Sequence, residues 1–420
     1  MRTLDSSGGP EASARLRILM VTMADMPEGG GRTSRLKTLA GCLARRGHAV
    51  RIWSEMVLGQ FPARLMQIKG EVEGIPYEIL SGSLERKGIL RQLQVAWRAT
   101  RRFWKIRREV DLLWLNELAF HDMFPLMVAA ALSGVKVVLS YEDERSEQWT
   151  WKFWKGGLKN VTALNYILAD RFLTKRADAV VVISTYLERK YRRFGARRLM
   201  RVPTIVDPAY WRCPEKEPAR PARFLYSGSL FGGYAISEIL TAMVRLRQEG
   251  FSFFFHCVGG GNYDSPSVKA MMQQVRQLGP EEWIVWKEVL PLEELRQEIC
   301  RADILLCIRV QTKRAESGLA TKLSEYLASG RPVVVSDVGD MCRYVEDGES
   351  ALVVRHVTVE GIEEQLRRAL QQLDRLQAIG RQGRLAAEQH FGYAAIGKKL
   401  DGLLAHLMGR AHASAPQKED

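Results

Sequence analysis

The sequence has little of what would assign it to a membrane, secreted or metal-binding class. Within its 420 residues no apolar run reaches the length of a transmembrane helix, about 18 residues. Residues 1–15 are small and polar and lack the apolar core of a signal peptide, so we interpret them as a disordered lead-in. The six cysteines form no CxxC pair and have no histidine at zinc spacing. We therefore predict a reduced cytosolic protein with free, buried thiols and no bound metal.

Negative charge is also in short supply. Lys and Arg number 62 against 48 Asp and Glu, which gives a formal net charge of +14. Such a balance suits nucleic acid, anionic lipid or a phosphorylated small molecule, and the alternative is a set of solvated arginines on helix surfaces. Because the basic residues are interleaved with apolar ones and match no nucleic-acid-binding fingerprint, we predict no nucleic-acid partner.

Two basic, aromatic segments fall in the first half of the chain, at 91–108 and 149–159. Tryptophans next to arginines suit a helix that lies in an anionic membrane interface. The alternative for both segments is a core-facing apolar stripe with a solvated back. We therefore predict a cytoplasmic protein for which a peripheral position on the inner membrane leaflet stays open.

Predicted strands and helices alternate over 16–206. The first apolar strand leads into a glycine turn that contains Gly30 and Gly31, and an amphipathic helix and a second strand follow. This βαβ unit is typical of nucleotide-binding folds, although its glycine spacing is not GxGxxG. Glu142 and Asp143 follow a later strand, at the edge where open parallel sheets bind ligands. The alternation predicts a parallel, doubly wound first domain.

Four prolines between 207 and 222 cannot continue a helix or a central strand, so we place a linker there. A second alternation of strands and helices over 223–390 predicts a second doubly wound domain. A last helix is predicted at 391–408, and the polar residues 409–420 are predicted to be a disordered tail.

The stretch 316–336, ESGLATKLSEYLASGRPVVVS, combines a helix, a tight turn and a buried strand. Gly330 stands where a left-handed helix cap belongs, and the proline two residues later prevents any continuation. Thr321 and Lys322 fall in the first turns of the helix, whose free N–H groups and partial positive charge suit a phosphate. Glu325, about one turn further on, can accept hydrogen bonds from sugar hydroxyls.

This stretch and three others occur in an order that is characteristic of one family. The others are GGGRTS after the first strand, VPTIVD at 202–207 and YSGSL at 226–230. With them the chain resembles, over 16–408, a GT-B glycosyltransferase of the retaining, nucleotide-sugar-dependent class called family 4. The resemblance implies an α/β fold with two doubly wound, Rossmann-like domains that face each other across a cleft. It places the acceptor on the first domain and the nucleotide sugar on the second.

The resemblance also implies a donor site. Glu325 would bind the ribose, and Thr321 and Lys322 would hold the diphosphate. The other donor-site positions lie along the cleft, near the second glycine turn or before the helix: Gly30, Gly31, Ser229, Glu316, Ser317, Gly318 and Leu319. Ser317 stands where the family has the first of two glutamates, and Glu316 is its neighbour. The family's Arg and Lys after YSG are absent, so Lys322 is expected to supply their charge, with help from a nearby cation: Arg309, Lys313 or Arg314.

Candidate catalytic residues come from the first domain. Where the family has His-Asp, this chain has Tyr141-Glu142-Asp143, so Glu142 and Asp143 are predicted to orient the acceptor or support the oxocarbenium-like charge. His121 is a third candidate, with an ordinary surface histidine as its alternative. We assign no covalent nucleophile and predict a metal-independent hexosyltransferase whose only cofactor-like ligand is its nucleotide-sugar donor.

These patterns predict transfer of a sugar from a nucleoside-diphosphate sugar to a glycan or lipid-linked acceptor in cell-surface polysaccharide synthesis. A nucleotide-sugar epimerase on the same fold is one alternative. A catalytically degenerate GT-B module that binds a partner or a membrane is another.

Overall fold

The computed structural model describes residues 15–57, 63–84, 88–144, 163–228, 234–259, 273 and 281–409. The first sheet has the strand order β3-β4-β2-β1-β5-β6-β7-β8, and all its neighbours are parallel except β3, which is antiparallel to β4. Its strands are β1 Arg17–Thr22, β2 Ala49–Ser54, β3 Lys69–Val72, β4 Ile75–Ile79, β5 Leu112–Asn116, β6 Lys136–Tyr141, β7 Ala179–Val182 and β8 Leu199–Arg201. The β3–β4 hairpin was not predicted from the sequence, because the alternating pattern of these two strands is short and half exposed.

The second sheet is entirely parallel, with the order β11-β10-β9-β12-β13-β14. Its strands are β9 Ala222–Ser227, β10 Phe253–Val258, β11 Ile284–Lys287, β12 Ile304–Cys307, β13 Val333–Ser336 and β14 Leu352–Val354. Short β-branched runs such as the three valines of β13 are buried throughout, as parallel strands covered on both faces require. The predicted class of two doubly wound α/β domains is confirmed.

Helices cover both sheets. They are α1 Gly31–Arg45, α2 Ile89–Ile106, α3 Phe120–Ser133, α4 Thr185–Arg193, α5 Pro208–Trp211, α6 Ile236–Gln248, α7 Leu292–Arg301, α8 Lys313–Ser317, α9 Thr321–Ser329, α10 Val359–Gln371, α11 Leu373–Phe391 and α12 Tyr393–Leu407. The helix α9 ends where Gly330 takes a φ of 77°, as its sequence predicts. In the described residues, none of the helices is both long enough and apolar enough to cross a membrane.

The last helix packs against the first sheet rather than the second. The apolar side of α12, with Ile396, Leu400 and Leu404, belongs to the same buried cluster as Leu36 and Leu39 of α1. The chain therefore crosses between the two sheets twice, and a backbone hydrogen bond of 2.9 Å from Val206 to Phe391 joins the two crossings.

The prediction that all cysteines are free thiols is wrong for two of them. Cys213, just after α5, forms a disulfide with Cys300 in α7, across a sequence separation of 87 residues. A search for local CxxC pairs cannot find such a bond, because only the fold brings the two Cα atoms to 5.2 Å. Cys42, Cys257, Cys307 and Cys342 are free.

Candidate active site

Two helix starts meet between the domains. The helix α1 begins at Gly31 and α9 begins at Thr321, and neither start has a side-chain cap. A Cβ atom on Gly31 would lie 3.0 Å from the Thr321 hydroxyl oxygen, so a larger residue would push the two helices apart. Free N–H groups and the positive ends of two helix dipoles therefore converge here, which favours an anion.

Lys322 brings a cation to the same junction. Its side chain is buried between the rings of Tyr226 and Tyr234, with Nζ 4.1 and 3.8 Å from their centroids. Within the described residues Nζ has no hydrogen-bond partner, and burial lowers the pKa of Lys322 to about 8. The glycine turn after β9 accommodates the ammonium group, because a Cβ atom on Gly228 would lie 2.6 Å from Nζ. Ser229, the next predicted site residue, lies outside the described residues.

Glu325 faces the first domain from the second turn of α9. The Ser34 hydroxyl, in the first turn of α1, donates a hydrogen bond of 3.0 Å to Glu325 Oε1. Burial raises the pKa of this carboxyl, while the bond from Ser34 opposes the rise. The structure thus brings Gly30, Gly31, Lys322 and Glu325 to one junction.

The segment before α9 is held by Arg309 and by the first domain. Arg309 Nη1 donates to the carbonyl oxygens of Ala315 and Gly318, at 3.1 and 3.2 Å. Ser317 is fully buried, its hydroxyl accepts from the Glu144 N–H at 2.9 Å, and its carbonyl accepts a short bond from the Ser184 hydroxyl.

Two predicted donor-site side chains do not reach this junction. Glu316 accepts a solvent-exposed hydrogen bond of 3.2 Å from the amide of Gln311, which precedes α8. Leu319 is buried in the apolar core, so only its backbone is placed for ligand binding. Gly318 is different, since a Cβ atom there would lie 2.8 Å from Asp143 Oδ1.

Glu142 and Asp143 lie at the carboxyl end of β6, opposite the segment before α9. Glu142 forms an ion pair of 3.1 Å with Nε of the fully buried Arg35, whose guanidinium also donates to the Val202 and Pro203 carbonyls. Burial raises the pKa of Glu142 to about 7, against the opposing effect of Arg35. Burial also raises the pKa of Asp143, which lies 3.5 Å from Arg314 of the second domain.

Glu117 is a site residue that the sequence analysis missed. Its Oε1 accepts hydrogen bonds from the backbone N–H groups of Glu142, at 2.6 Å, and Asp143, at 3.0 Å. Its Oε2 pairs with Arg32 at 2.7 Å. The available signal was its position directly after the buried strand β5, the same criterion that selected Glu142.

His121 lies in the first turn of α3, and its side chain is mostly buried. Its Nδ1 is in short contact with the Asn165 amide, and its Nε2 lies 3.2 Å from Asp122 Oδ1. These contacts hold the imidazole against α3 and the segment that contains Asn165.

Among the described residues, no three His, Cys, Asp or Glu side chains form a group that could hold a metal ion. Lys322, Arg309 and the two helix starts bring positive charge to the junction.

Known proteins resemble the chain at the level of sequence models and of fold. The family model described as Glycosyltransferase Family 4 matches residues 29–210, and the model described as Glycosyl transferases group 1 matches residues 221–372. No curated protein matches the sequence.

Solved structures of glycosyltransferases share the fold over almost the whole chain. Sucrose-phosphate synthase from Thermosynechococcus elongatus superposes with a TM-score of 0.72 at 15% identity, covering 94% of this chain and 100% of that one. Anabaena HepE in complex with UDP and glucose gives 0.69 at 16% identity, covering 93% and 100%. WaaG, a glycosyltransferase involved in lipopolysaccharide biosynthesis, gives 0.65 at 16% identity, covering 92% and 99%. The two family models together span both sheets, and the chain belongs to the GT-B glycosyltransferases of family 4.

Proposed function

We propose that the protein transfers a sugar, with retention, from a nucleoside-diphosphate sugar to a glycan or lipid-linked acceptor in the assembly of cell-surface polysaccharide. The observation that carries the proposal is the buried ammonium group of Lys322, which has no hydrogen-bond partner among the described residues and lies beside the start of α9. An unpaired buried cation is costly, so its presence at a helix start supports a site for the diphosphate.

The donor would lie along α9. The diphosphate accepts hydrogen bonds from the N–H groups at the start of α9, from the Thr321 hydroxyl and from Lys322. Glu325 binds the ribose hydroxyls once Ser34 releases it. As the glycosidic bond breaks, the leaving diphosphate gains negative charge, and a lysine with two helix dipoles stabilises that charge without a metal ion. HepE, with which the chain shares its fold, is described in complex with UDP-glucose, which makes a uracil nucleotide the first donor to test.

Glu142 and Asp143 are proposed to face the acceptor. Their ionised forms would orient an acceptor hydroxyl and stabilise the positive charge that develops on the sugar ring. We assign no covalent nucleophile, and retention would then follow from attack on the face from which the diphosphate leaves. We propose that His121, which its contacts hold against α3, lines the acceptor side of the cleft.

A lipid-linked acceptor fits an exposed apolar surface on the first domain. We propose that this surface docks on an anionic membrane. On α2 the exposed apolar side chains are Leu90, Leu93, Trp97 and Trp104, and on the adjacent α3 they are Phe124, Val128 and Leu132. Arg101 and Arg107 lie over the Trp97 and Trp104 rings, which puts positive charge at the edge of the apolar surface. The second predicted membrane segment, 149–159, lies outside the described residues.

Vesicle binding tests the membrane part of this proposal. The protein should sediment with vesicles that contain anionic lipid at low salt and be released at high salt, because the interaction of exposed charges is screened. Trp97→Ala should weaken sedimentation, whereas Leu385→Ala, which removes an exposed leucine of the second domain, should not. Equal recovery in the supernatant with and without vesicles would contradict the membrane proposal.

A panel of nucleotide sugars tests the transfer reaction. The correct donor should raise the melting temperature and be consumed only when an acceptor is added. Glu325→Ala should weaken donor binding by about 10- to 100-fold, the range expected for a hydrogen bond to a charged group, while the fold is kept. Glu388→Ala, which removes a partly buried carboxylate of α11 that pairs with Arg384, is the control. Conversion of the donor without acceptor would favour the epimerase, and no binding at millimolar nucleotide would favour a binding module.

A further inference from the structure

Glu117 occupies a backbone conformation that its residue type rarely adopts. Its φ is 55°, in the left-handed region, where a residue with a Cβ atom is destabilised by roughly 1–2 kcal/mol. The residue follows the last position of β5, where Asn116 pairs with Ser140 of β6, and its own N–H still donates to the Ser140 carbonyl at 3.1 Å. Such a conformation persists only where surrounding contacts enforce it.

The contacts that enforce it are made by the carboxylate. The left-handed turn directs the side chain across to the end of β6, where Oε1 accepts the N–H groups of Glu142 and Asp143 together. The other oxygen pairs with Arg32, the second residue of α1, which also donates to the Met23 carbonyl at 3.2 Å. Hydrogen bonds to a buried ionised carboxylate are among the strongest in a protein.

The Glu117 side chain therefore connects the start of α1 with the end of β6. Arg32 stands next to Gly31, at the helix start that faces Thr321, and Glu142 and Asp143 form the acidic end of β6. We infer that Glu117 is a positioning residue, which fixes the two acidic side chains of β6 relative to the start of α1 and so relative to the bound diphosphate. The inference rests on the proposed roles of Glu142 and Asp143.

The charges of Glu117 and Arg32 affect the pKa of Glu142, and this effect distinguishes a positioning role from ordinary structural support. Glu142 is surrounded by Arg35 and Arg32 from α1, by Glu117 after β5 and by its neighbour Asp143. The negative charge of Glu117 raises the pKa of Glu142, and the positive charge of Arg32 lowers it.

Asp143 responds in the same way. The negative charge of Glu117 raises the pKa of Asp143, whereas Arg32, together with Arg314 and Arg309 of the second domain, lowers it. Removing Glu117 should therefore lower the pKa of both Glu142 and Asp143, whereas removing Arg32 should raise both pKa values.

The test compares the pH dependence of kcat/KM for Glu117→Gln, Arg32→Gln and the wild type. Because the acidic side chains act ionised, kcat/KM rises with pH. The rising limb should move to lower pH in Glu117→Gln and to higher pH in Arg32→Gln. In Glu117→Gln, kcat should also fall about 10- to 100-fold, since displacement by about 1 Å can cost that much.

Glu298→Gln is the matched control, because Glu298 is a similarly buried carboxylate of the second domain that also pairs with cations, Lys287 and Arg301. It should leave the pH profile in place. Rising limbs of kcat/KM that superpose for all variants, or that move in the same direction for Glu117→Gln and Arg32→Gln, would overturn the inference.

Glu142→Gln distinguishes failure of the inference about Glu117 from failure of the proposed role of Glu142. Full activity in that variant would refute the proposed role of Glu142 itself, whereas loss of activity there together with unmoved limbs would refute only the inference about Glu117.

Discussion

Replacing Lys322 by Met should make the free protein more stable and unable to bind its donor. Lys322 is 9% exposed and its pKa falls to about 8 from an ordinary 10.5 because burial disfavours the charged form. At about 1.4 kcal/mol for each pKa unit, this fall corresponds to a destabilisation of about 3 kcal/mol at neutral pH. Met has a similar length, and its sulfur can contact the rings of Tyr226 and Tyr234, which partly offsets the lost cation–π interaction of about 1–2 kcal/mol.

The expected net effect is an increase of about 2 kcal/mol in the free energy of unfolding at pH 7. The increase should be complete below about pH 8 and should decline as the pH approaches 10.5. In that window the native lysine is neutral while the unfolded lysine is still charged, so the unfolded state binds more protons and the stability of the wild type rises steadily with pH.

Urea unfolding at several pH values measures this difference, and thermal shift with UDP, GDP or ADP measures donor binding. The nucleotide that stabilises the wild type should not stabilise Lys322→Met. Tyr326→Phe is a matched control at a buried position of the same helix, where the lost hydroxyl bonds Ser227 and not a ligand. A Lys322→Met protein that is less stable than the wild type at pH 7, or that still binds the nucleotide, would refute the reasoning.

Three further substitutions test the packing around the site. Arg35→Met leaves the buried carboxylate of Glu142 without its cation and should lower the free energy of unfolding by about 3–5 kcal/mol at pH 8. The loss should be smaller at pH 5, where the Glu142 carboxyl is neutral, and a loss that grows on acidification would contradict the pairing. Gly380→Ala makes a Cβ atom collide with the carbonyl oxygen of Gly330, in the turn after α9, and should cost about 1–3 kcal/mol in urea unfolding. Gly402→Ala, with open space around it among the described residues, should be neutral or stabilising, and equal effects of the two substitutions would contradict the close approach. Cys213→Ser opens the bond to Cys300 and should cost roughly 3–5 kcal/mol under oxidising conditions and nothing under reducing ones; mass spectrometry showing two free thiols in the wild type would contradict the disulfide.

Most of the site's second-domain half was predictable because its signals are local. Apolar spacing, a left-handed glycine and a valine run identify α9 and β13 without any knowledge of what packs on them. The same holds for Gly31 at the start of α1 and for Glu142 after β6, since the position of a residue after a buried strand follows from the chain alone. Lys322, which was predicted to supply the charge of the missing family cations, has its ammonium group against the Gly228 turn, and its role in donor binding stays a prediction.

Contacts between segments that are distant in the chain could not be predicted from local sequence patterns. Glu117 has no distinguishing local pattern, and its carboxylate matters because β5 and β6 are neighbours and because Arg32 reaches it from α1. Ser317 interrupts an expected motif, yet its burial between the domains depends on Glu144 and Ser184, more than 130 residues away in the chain. The Cys213–Cys300 bond and the return of α12 to the first sheet depend equally on the tertiary arrangement.

Local patterns in the sequence predict most of the secondary elements, though not the β3–β4 hairpin, together with the doubly wound class and the helix start that favours a phosphate. Each of these follows from backbone propensity and periodic burial over a few residues. Which charged groups meet depends on the folded arrangement of distant segments. The pKa of Glu142 and the unpaired state of Lys322 among the described residues depend on burial and on partners from other elements. Electrostatic energies depend on distance and local polarity, and the fold alone sets both.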